Sequence, residues 1–424
     1  MVSVCDKTKL GKGEKMNKTV LMIGAFDTKG SEYVFLWKQI LDQGVDVLTM
    51  NTGVLGSTAL FPVDIEAAEI AKAGGGNIKI LRKKKDRGEA MQIMSAGVAI
   101  LTKSLFEKGS FDGIIGMGGT GGTAVVTSAM RAVPVRVPKV CVSTVASGDT
   151  SPYVAGKNIT MIPSIVDVAG INRISRVIFS QAAGAICGMV KFGFPSSTED
   201  KPIIAATMFG NTTECVDDCV KSLSVKGYEV LVFHATGIGG KTMESLVQEG
   251  LIDAVLDITT TEWADTICGG IFGAGMERLS APGEMGVPHL IVPGCVDMVN
   301  FGPPGTVPQK YKDANRKFYE WNPSTTLMRT SIKENKKMGE IFAEKANRAK
   351  GPVAFLIPLQ GVSILDGNGQ LFCDRDADKA MFRAIKSNLR RGIPVIEMDN
   401  NINDPEFAAK AVEIILDLMT ENRK

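Results

Sequence analysis

The sequence predicts an α/β protein: two Rossmann-like, doubly wound parallel-sheet domains in tandem, with an interdomain cleft. Three observations carry this reading. Near-continuous apolar runs alternate with amphipathic ones along the whole chain, the pattern of a parallel sheet covered on both faces. The two halves resemble each other at a constant offset. Glycine, serine, threonine and aspartate collect just after the apolar runs, at the sheet edge where such folds bind ligands.

The first half is read as follows. "KTVLMIGAF" (18–26) predicts a buried strand, "SEYVFLWKQILDQG" (31–44) a helix and "VDVLTMN" (45–51) a second strand. "FDGIIGM" (111–117) and "VPKVCVST" (137–144) predict two more strands, with helices over 64–73, 87–108, 122–132 and 171–190. The polar, proline-bearing "FPSSTEDKP" (194–202) reads as a linker. This places one domain at 16–195, a nucleotide-binding unit, and another at 202–424.

In the second half strands are expected at 202–208, 228–233, 252–257, 289–292, 353–357 and 393–397. Helices are expected at 212–226, 240–249, 331–348, 376–390 and 405–420. The last has Asp404 as its cap, Pro405 at its first position and Phe407, Ala411, Ile414, Ile415 and Leu418 on one face. "PGCVDMVNFGPPGTVP" (293–308) reads as a long loop.

The internal repeat is specific. Phe26 and Phe209, and Gly44 and Gly227, stand the same 183 positions apart. Thr52-Gly53 parallels Thr236-Gly237, and "FDGIIGMGG" parallels "IDAVLDITT" (252–260). The first copy has gained residues 54–110, and the second has lost the glycine cluster.

Composition narrows the function. Hydrophobic residues at 44% and charged residues at 22% fit a globular protein with a full core. A net charge of +2 gives no global field for nucleic acid or a membrane surface. "LRKKKDR" (81–87) reads as a solvated face, with phosphate steering as the alternative. Eight cysteines show no metal or disulfide rhythm, although Cys215 and Cys219 would share a helix face. Two histidines supply a zinc site poorly. The cysteine usage suits a cytoplasmic location. The N-terminus lacks an apolar secretory segment, so residues 1–15 read as a disordered leader before Met16. The longest uncharged stretch, Gly113–Met130, holds six glycines and does not read as a membrane span.

The strongest motif is "GMGGTGGT" (116–123). Five glycines bare the backbone where a strand hands over to a helix, and consecutive N–H groups there suit an anion. A tight, closely packed turn is the competing explanation. Gly118, Gly119, Thr120, Gly121, Gly122 and Thr123 are the expected phosphate cradle. Asp27, Thr28 and Lys29 ("GAFDTKG") would join it. Lys29 would meet phosphate and Asp27 would hold Mg²⁺; capping the next helix is the simpler role for Asp27 or Thr28. Ser147, Gly148 and Asp149 ("STVASGDTSPY") end the next strand. In the second half Asn211, Thr212, Gly237, Gly239, Gly240 and Lys241 occupy matching strand ends and would line a substrate cleft. Asp27, Asp149, His234 and Glu262 are the acid–base candidates, although a structural role suits His234 better.

Eight ordered motifs, "GAFDTKG", "GMGGTGGT", "STVASGD", "FGNTT", "HATGIGG", "PGCVDMVNFG", "NPSTTLMRT" and "INDPEFA", resemble a family of uncharacterised bacterial and fungal proteins. The family is related to the N-terminal, ATP-binding part of a plant tobamovirus-resistance protein. The resemblance runs from about Met16 to the C-terminus. It implies nucleotide binding and a homodimer. It supplies no reaction, and antiviral inhibition does not transfer, because that depends on a surface matched to one viral partner. A chain of 424 residues is expected to lack the plant protein's C-terminal barrel. Cys295 stands where the family pattern has a small residue, and Trp321 where it has histidine. A cytoplasmic ATP-binding protein working with Mg²⁺ is therefore the first expectation. A kinase, isomerase or hydrolase acting on a phosphorylated or carboxylated metabolite is the second, and a binding module without turnover the third.

Overall fold

The computed structural model describes residues 17–192, 201–314 and 316–422. The expected leader (1–15), Met16 and most of the expected linker (194–200) lie outside the described residues. The chain forms two compact units, divided between residues 196 and 197.

The first unit runs β1 (Thr19–Gly24), α1 (Gly30–Leu41), β2 (Asp46–Asn51), α2 (Ala67–Ala73), α3 (Ile78–Lys84), α4 (Arg87–Glu107), β3 (Gly113–Gly118), α5 (Thr120–Arg131), β4 (Lys139–Ser143), α6 (Ser151–Val154), β5 (Thr160–Pro163) and α7 (Arg173–Lys191). Its five strands are all parallel, in the order β2-β1-β3-β4-β5. One apolar cluster, with Val20, Met22, Phe179 and Ile186, fills one face of the sheet; another, with Leu21, Ile23, Val98 and Val126, fills the other. Alternate residues of β1 thus serve opposite faces.

The second unit runs β6 (Ile203–Met208), α8 (Thr213–Val225), β7 (Glu229–His234), α9 (Ile238–Gln248), β8 (Ala254–Thr259), α10 (Glu262–Cys268), α11 (Ala281–Met285), β9 (His289–Gly294), β10 (Met298–Phe301), α12 (Gln309–Asp313), β11 (Phe318–Asn322), β12 (Thr325–Arg329), α13 (Ile332–Asn347), β13 (Val353–Pro358), α14 (Arg375–Asn388), β14 (Val395–Met398) and α15 (Pro405–Glu421). Its main sheet is β14-β13-β9-β8-β6-β7. Counted from its own first strand, this is the first unit's order with one strand added. The repeat seen in the sequence is therefore a repeat of topology.

The expected loop at 293–308 is a correction. Met298–Phe301 is a fully buried strand, paired antiparallel with β12 in a small sheet β10-β12-β11. Val296, Val299 and Phe301 join the core beneath it, and their burial outweighs the proline–glycine signal around them. The strand β5 and the short helices α3, α6, α10, α11 and α12 also escaped the sequence reading. The helix expected at 122–132 begins two residues earlier, so Gly121 and Gly122 lie in its first turn.

Candidate functional site at the strand ends

In a 2-1-3-4-5 sheet the chain reverses direction between the first and third strands, and the crevice beyond their C-terminal ends receives ligands. Here that point lies between β1 and β3. Their pairing stops at Ile23↔Gly116. Tyr33 fills the gap. Its hydroxyl stands 2.8 Å from the Ile23 carbonyl and 2.7 Å from that of Met117, and accepts the Met117 N–H at 2.8 Å. Full burial holds the phenol well above its usual pKa, so it stays protonated. Gly24 has no side chain because a Cβ there would stand 2.0 Å from the Tyr33 ring. That glycine was the one sequence signal for Tyr33, which sequence reasoning missed.

Four of the five glycines of 116–122 divide into two kinds. Gly116 and Gly118 are packing residues. A Cβ at Gly116 would lie 2.6 Å from Val126 and 2.7 Å from the Ile23 carbonyl; one at Gly118 would lie 2.9 Å from Gly122. Gly119 and Gly122 are not crowded: a Cβ would meet nothing nearer than 3.8 Å and 3.6 Å. Gly119 caps α5 with extended backbone and no side-chain bond, so no cap side chain accepts from the first-turn N–H groups. Thr120 is exposed beside them. Thr123 is a correction. It is fully buried, and its hydroxyl pairs with Ser143 Oγ at 2.6 Å, so it faces the protein rather than a ligand.

Two residues outside the expected set flank this turn. A Cβ at Gly121 would stand 3.4 Å from Nη2 of Arg87, the exposed first residue of α4. The basic run 81–87 therefore contributes one cation to the glycine turn. Beside Gly119, whose nearest neighbour is Thr144 Oγ1, lies a cavity of about 300 Å³ lined by Thr144, Ser147, Ser164, Ile165, Val166 and Asp167. Ile165, a β-branched residue, is 71% exposed and holds a left-handed φ of 63° at its rim. Sequence reasoning had placed only Ser147 here; β5 was missed, and with it the loop that follows.

The remaining first-unit candidates are engaged elsewhere. Lys29 donates its ammonium to the Val168 carbonyl, tying the end of β1 to the loop after β5. In this structure the bond takes one of the three ammonium protons of Lys29, the residue expected to meet phosphate. Asp27 accepts the Leu55 N–H at 2.9 Å, and its other oxygen is buried behind Gly53 without a partner. Among the described residues no group of three acidic, histidine or cysteine side chains is arranged to hold a metal. One oxygen of Asp27 is thus enclosed, while the residue as a whole is only partly buried. Asp149 is exposed and accepts from the Ser151 N–H and hydroxyl, bonds that hold its carboxyl below the usual range. Gly148 sits in the turn before it, and Thr28 is exposed between Asp27 and Lys29.

In the second unit the corresponding edge is closed from within. Glu262 is fully buried. Its carboxylate accepts the Gly237 N–H at 2.7 Å and the Gly240 N–H at 3.1 Å, and takes Arg278 Nε at 2.6 Å. The glycine turn expected to cradle a substrate anion thus cradles a side chain, and Glu262 is not available as an acid or base. Arg278 also grips Asp257 with two bonds of 2.6 Å and reaches Glu244. Burial pushes the Asp257 carboxyl up, but Arg278 outweighs it and the group is held far below its usual range. Gly239 brings α9 against β7: a Cβ would stand 1.9 Å from the His234 carbonyl. Asn211 and Thr212 are buried; Thr212 pairs with Thr259 at 2.7 Å, and Asn211 Nδ2 lies 3.6 Å from Met298 Sδ. Asn211 Oδ1 is buried without a partner. Lys241 is exposed on α9, and His234 is exposed at the sheet edge, stacked on Phe209 with centroids 5.4 Å apart.

Comparison with known proteins places the chain. Residues 18–194 match the N-terminal domain, and residues 201–419 the C-terminal domain, of the uncharacterised protein family UPF0261. The chain belongs to the UPF0261 family. It is 47% identical over 405 residues to a UPF0261 protein of Clostridium tetani, covering 95% of this chain and all of that one. It is 41% identical over 344 residues to the ToMV resistance protein Tm-1(GCR237) of Solanum lycopersicum, covering 80% of this chain but 45% of the tomato protein. The susceptible protein tm-1(GCR26) of the same plant is 36% identical over 420 residues, covering 94% of this chain and 55% of that protein. The relation to the plant resistance protein expected from the motifs is thereby shown.

Proposed function

We propose that this UPF0261 protein binds a nucleotide, with ATP as the expected one, through phosphate groups seated on the first turn of α5. The observation that carries this reading is the pairing of an uncrowded, uncapped helix start at Gly119–Gly122 with Arg87 beside it and a polar cavity next to it. Main-chain N–H groups and the positive end of a 12-residue helix favour an anion, and a guanidinium suits phosphate geometry. The cavity beside Gly119, with its serine and threonine hydroxyls, would take the rest of the ligand.

A binding role is favoured over turnover by the fate of the acid–base candidates. Asp27, Asp149 and Glu262 each accept main-chain N–H bonds, and His234 is exposed and stacked on Phe209.

Thermal unfolding with and without ATP tests the reading. ATP at a hundredfold excess over its dissociation constant should stabilise the protein by about 2.7 kcal/mol. Gly119→Val should fold normally, because its extended backbone accepts valine, and should lose that protection. Equal protection of the variant and the parent would show that the phosphates sit elsewhere.

A further inference from the structure

The repeat matches two edge strands residue for residue. β2 (46–51) and β7 (229–234) stand 183 positions apart, as Phe26 and Phe209 do, and each ends its sheet beside the unit's first strand. Asp46 donates its N–H to the Lys18 carbonyl and Glu229 donates to the Pro202 carbonyl, so the matching residues face inward. In a parallel ladder the alternate residues turn the other way. Thr49 in β2, and Val230 and Val232 in β7, therefore present N–H and C=O to the outer edge. In the first unit that edge is covered. Ile65 donates to the Thr49 carbonyl at 3.0 Å, Asp64 Oδ2 accepts the Thr49 N–H at 2.8 Å, and Asn51 donates to the Ile65 carbonyl at 2.9 Å. Thr49 is left 1% exposed. The covering segment belongs to residues 54–110, which have no counterpart in the second half. Val232, the counterpart of Thr49, is 42% exposed, and among the described residues β7 pairs with β6 alone.

We infer that the outer edge of β7 is an interaction surface for a second copy of this chain, with two β7 strands paired antiparallel across a two-fold axis at Leu231. A bare edge strand is a template for pairing, and natural edges are guarded by charge, proline, a bulge, shortness or a covering segment. The other edge strands have such guards. β2 is covered, β5 is four residues long and ends in Pro163, and β14 is four residues long and carries the exposed Glu397. β7 has six residues with no lysine, proline or bulge, and its one charge stands at its first residue. The strand also complements itself. With the axis at Leu231, Val230 meets the partner's Val232, and this pair and its symmetry mate make four main-chain bonds from the outward groups. Glu229 comes opposite the partner's Phe233 and not opposite another carboxylate, so no like charges meet. The Thr236 N–H already takes the His234 carbonyl at 2.8 Å, which favours a centre at Leu231, needing no bond to that carbonyl, over one at Val232. Val225 at the end of α8, 90% exposed, and Ile238 at the start of α9, 57% exposed, extend the apolar margin beyond both ends of the strand. The pairing is independent of nucleotide binding.

Sedimentation of the full chain at micromolar concentration should give twice the mass of one chain. Val232→Pro removes an outward N–H, a change that an edge strand tolerates, and leaves the bonds to β6 in place. It should sediment at the mass of one chain while keeping the circular-dichroism spectrum of the parent. Val232→Lys, which supplies the guard that β7 lacks, should do the same. Leu231→Cys tests the axis directly. Facing residues of a non-hydrogen-bonded antiparallel pair are close enough for a disulfide, so mild oxidation should link two copies. The parent, whose described cysteines are all wholly or partly buried, should stay unlinked under the same oxidant, as should Ile80→Cys, an exposed position in the first unit. A parent that sediments as a monomer overturns the inference, and the edge then awaits a different partner. A dimer that survives both Val232 substitutions overturns it as well, because the copies then meet elsewhere. If both substitutions unfold the chain, Leu231→Cys decides: a disulfide-linked dimer supports the pairing, and an unlinked chain refutes it.

Discussion

At Asp265 burial decides the chemistry. Burial raises its carboxyl to about 8, against bonds from the Asn300 N–H and side-chain amide that favour the charged form, and Glu262 nearby adds to the rise. A group that keeps its proton in the folded state but loses it near pH 4 when unfolded destabilises the fold as pH rises. Stability should therefore decline between about pH 4 and 8, by up to about 1.4 kcal/mol per pH unit, and level off above. Asp265→Asn cannot ionise. Its amide can pair with Asn300 Oδ1, which has no partner, once the Asn300 amide turns over. The variant should remove this part of the slope and melt above the parent at pH 8. A denaturation series from pH 4 to 9 reads both effects; an unchanged slope would mean that Asp265 is ionised in the folded protein. The same scale explains why site residues were hard to assign from the sequence. Lys29, Asp27 and Glu262 are the right residue types at the right strand ends, but their partners, Val168, Leu55 and Gly237, lie far away along the chain. Those contacts decide that they brace loops instead of meeting ligands.

Among the elements, α5 and its strand show how one glycine motif serves two purposes. Gly116 lets α5 dock on β3, and Gly119 and Gly122 leave the helix start bare. Gly116→Ala should cost about 2 kcal/mol or more, because Val126 and a main-chain carbonyl leave no room for a methyl group. Gly119→Ala should cost under about 0.5 kcal/mol. Chemical denaturation of the two variants measures the contrast; equal losses would return the whole motif to packing. The strands and long helices were legible at this scale because their apolar spacing is strong, as in α15, where Phe407, Ala411, Ile415 and Leu418 are buried on one face. The β10-β12-β11 sheet was not legible. Its three strands are four or five residues long, and β10 lies among prolines and glycines whose local preference is for a turn. Only antiparallel pairing with β12 and burial against the α13–α14 layer make it a strand.

At the level of the whole molecule, each unit has, among the described residues, its own parallel sheet and its own apolar clusters. Fragments spanning 17–192 and 201–422 should therefore each unfold cooperatively when produced alone. Calorimetry checks this, and a broad, heatless transition in either fragment would show that it depends on the other. No helix among the described residues is long and apolar enough to cross a membrane. What the sequence determined by itself was the alternation of strands and helices, the duplication and the position of the glycine-rich strand end, because these rest on short-range periodicity and on residue type at neighbouring positions. What the tertiary structure alone decided was which of those strand ends is open. The second unit's glycine turn has the same local chemistry as the first's, and it is closed because folding carries the charged end of Glu262, 22 residues beyond Gly240, onto its N–H groups.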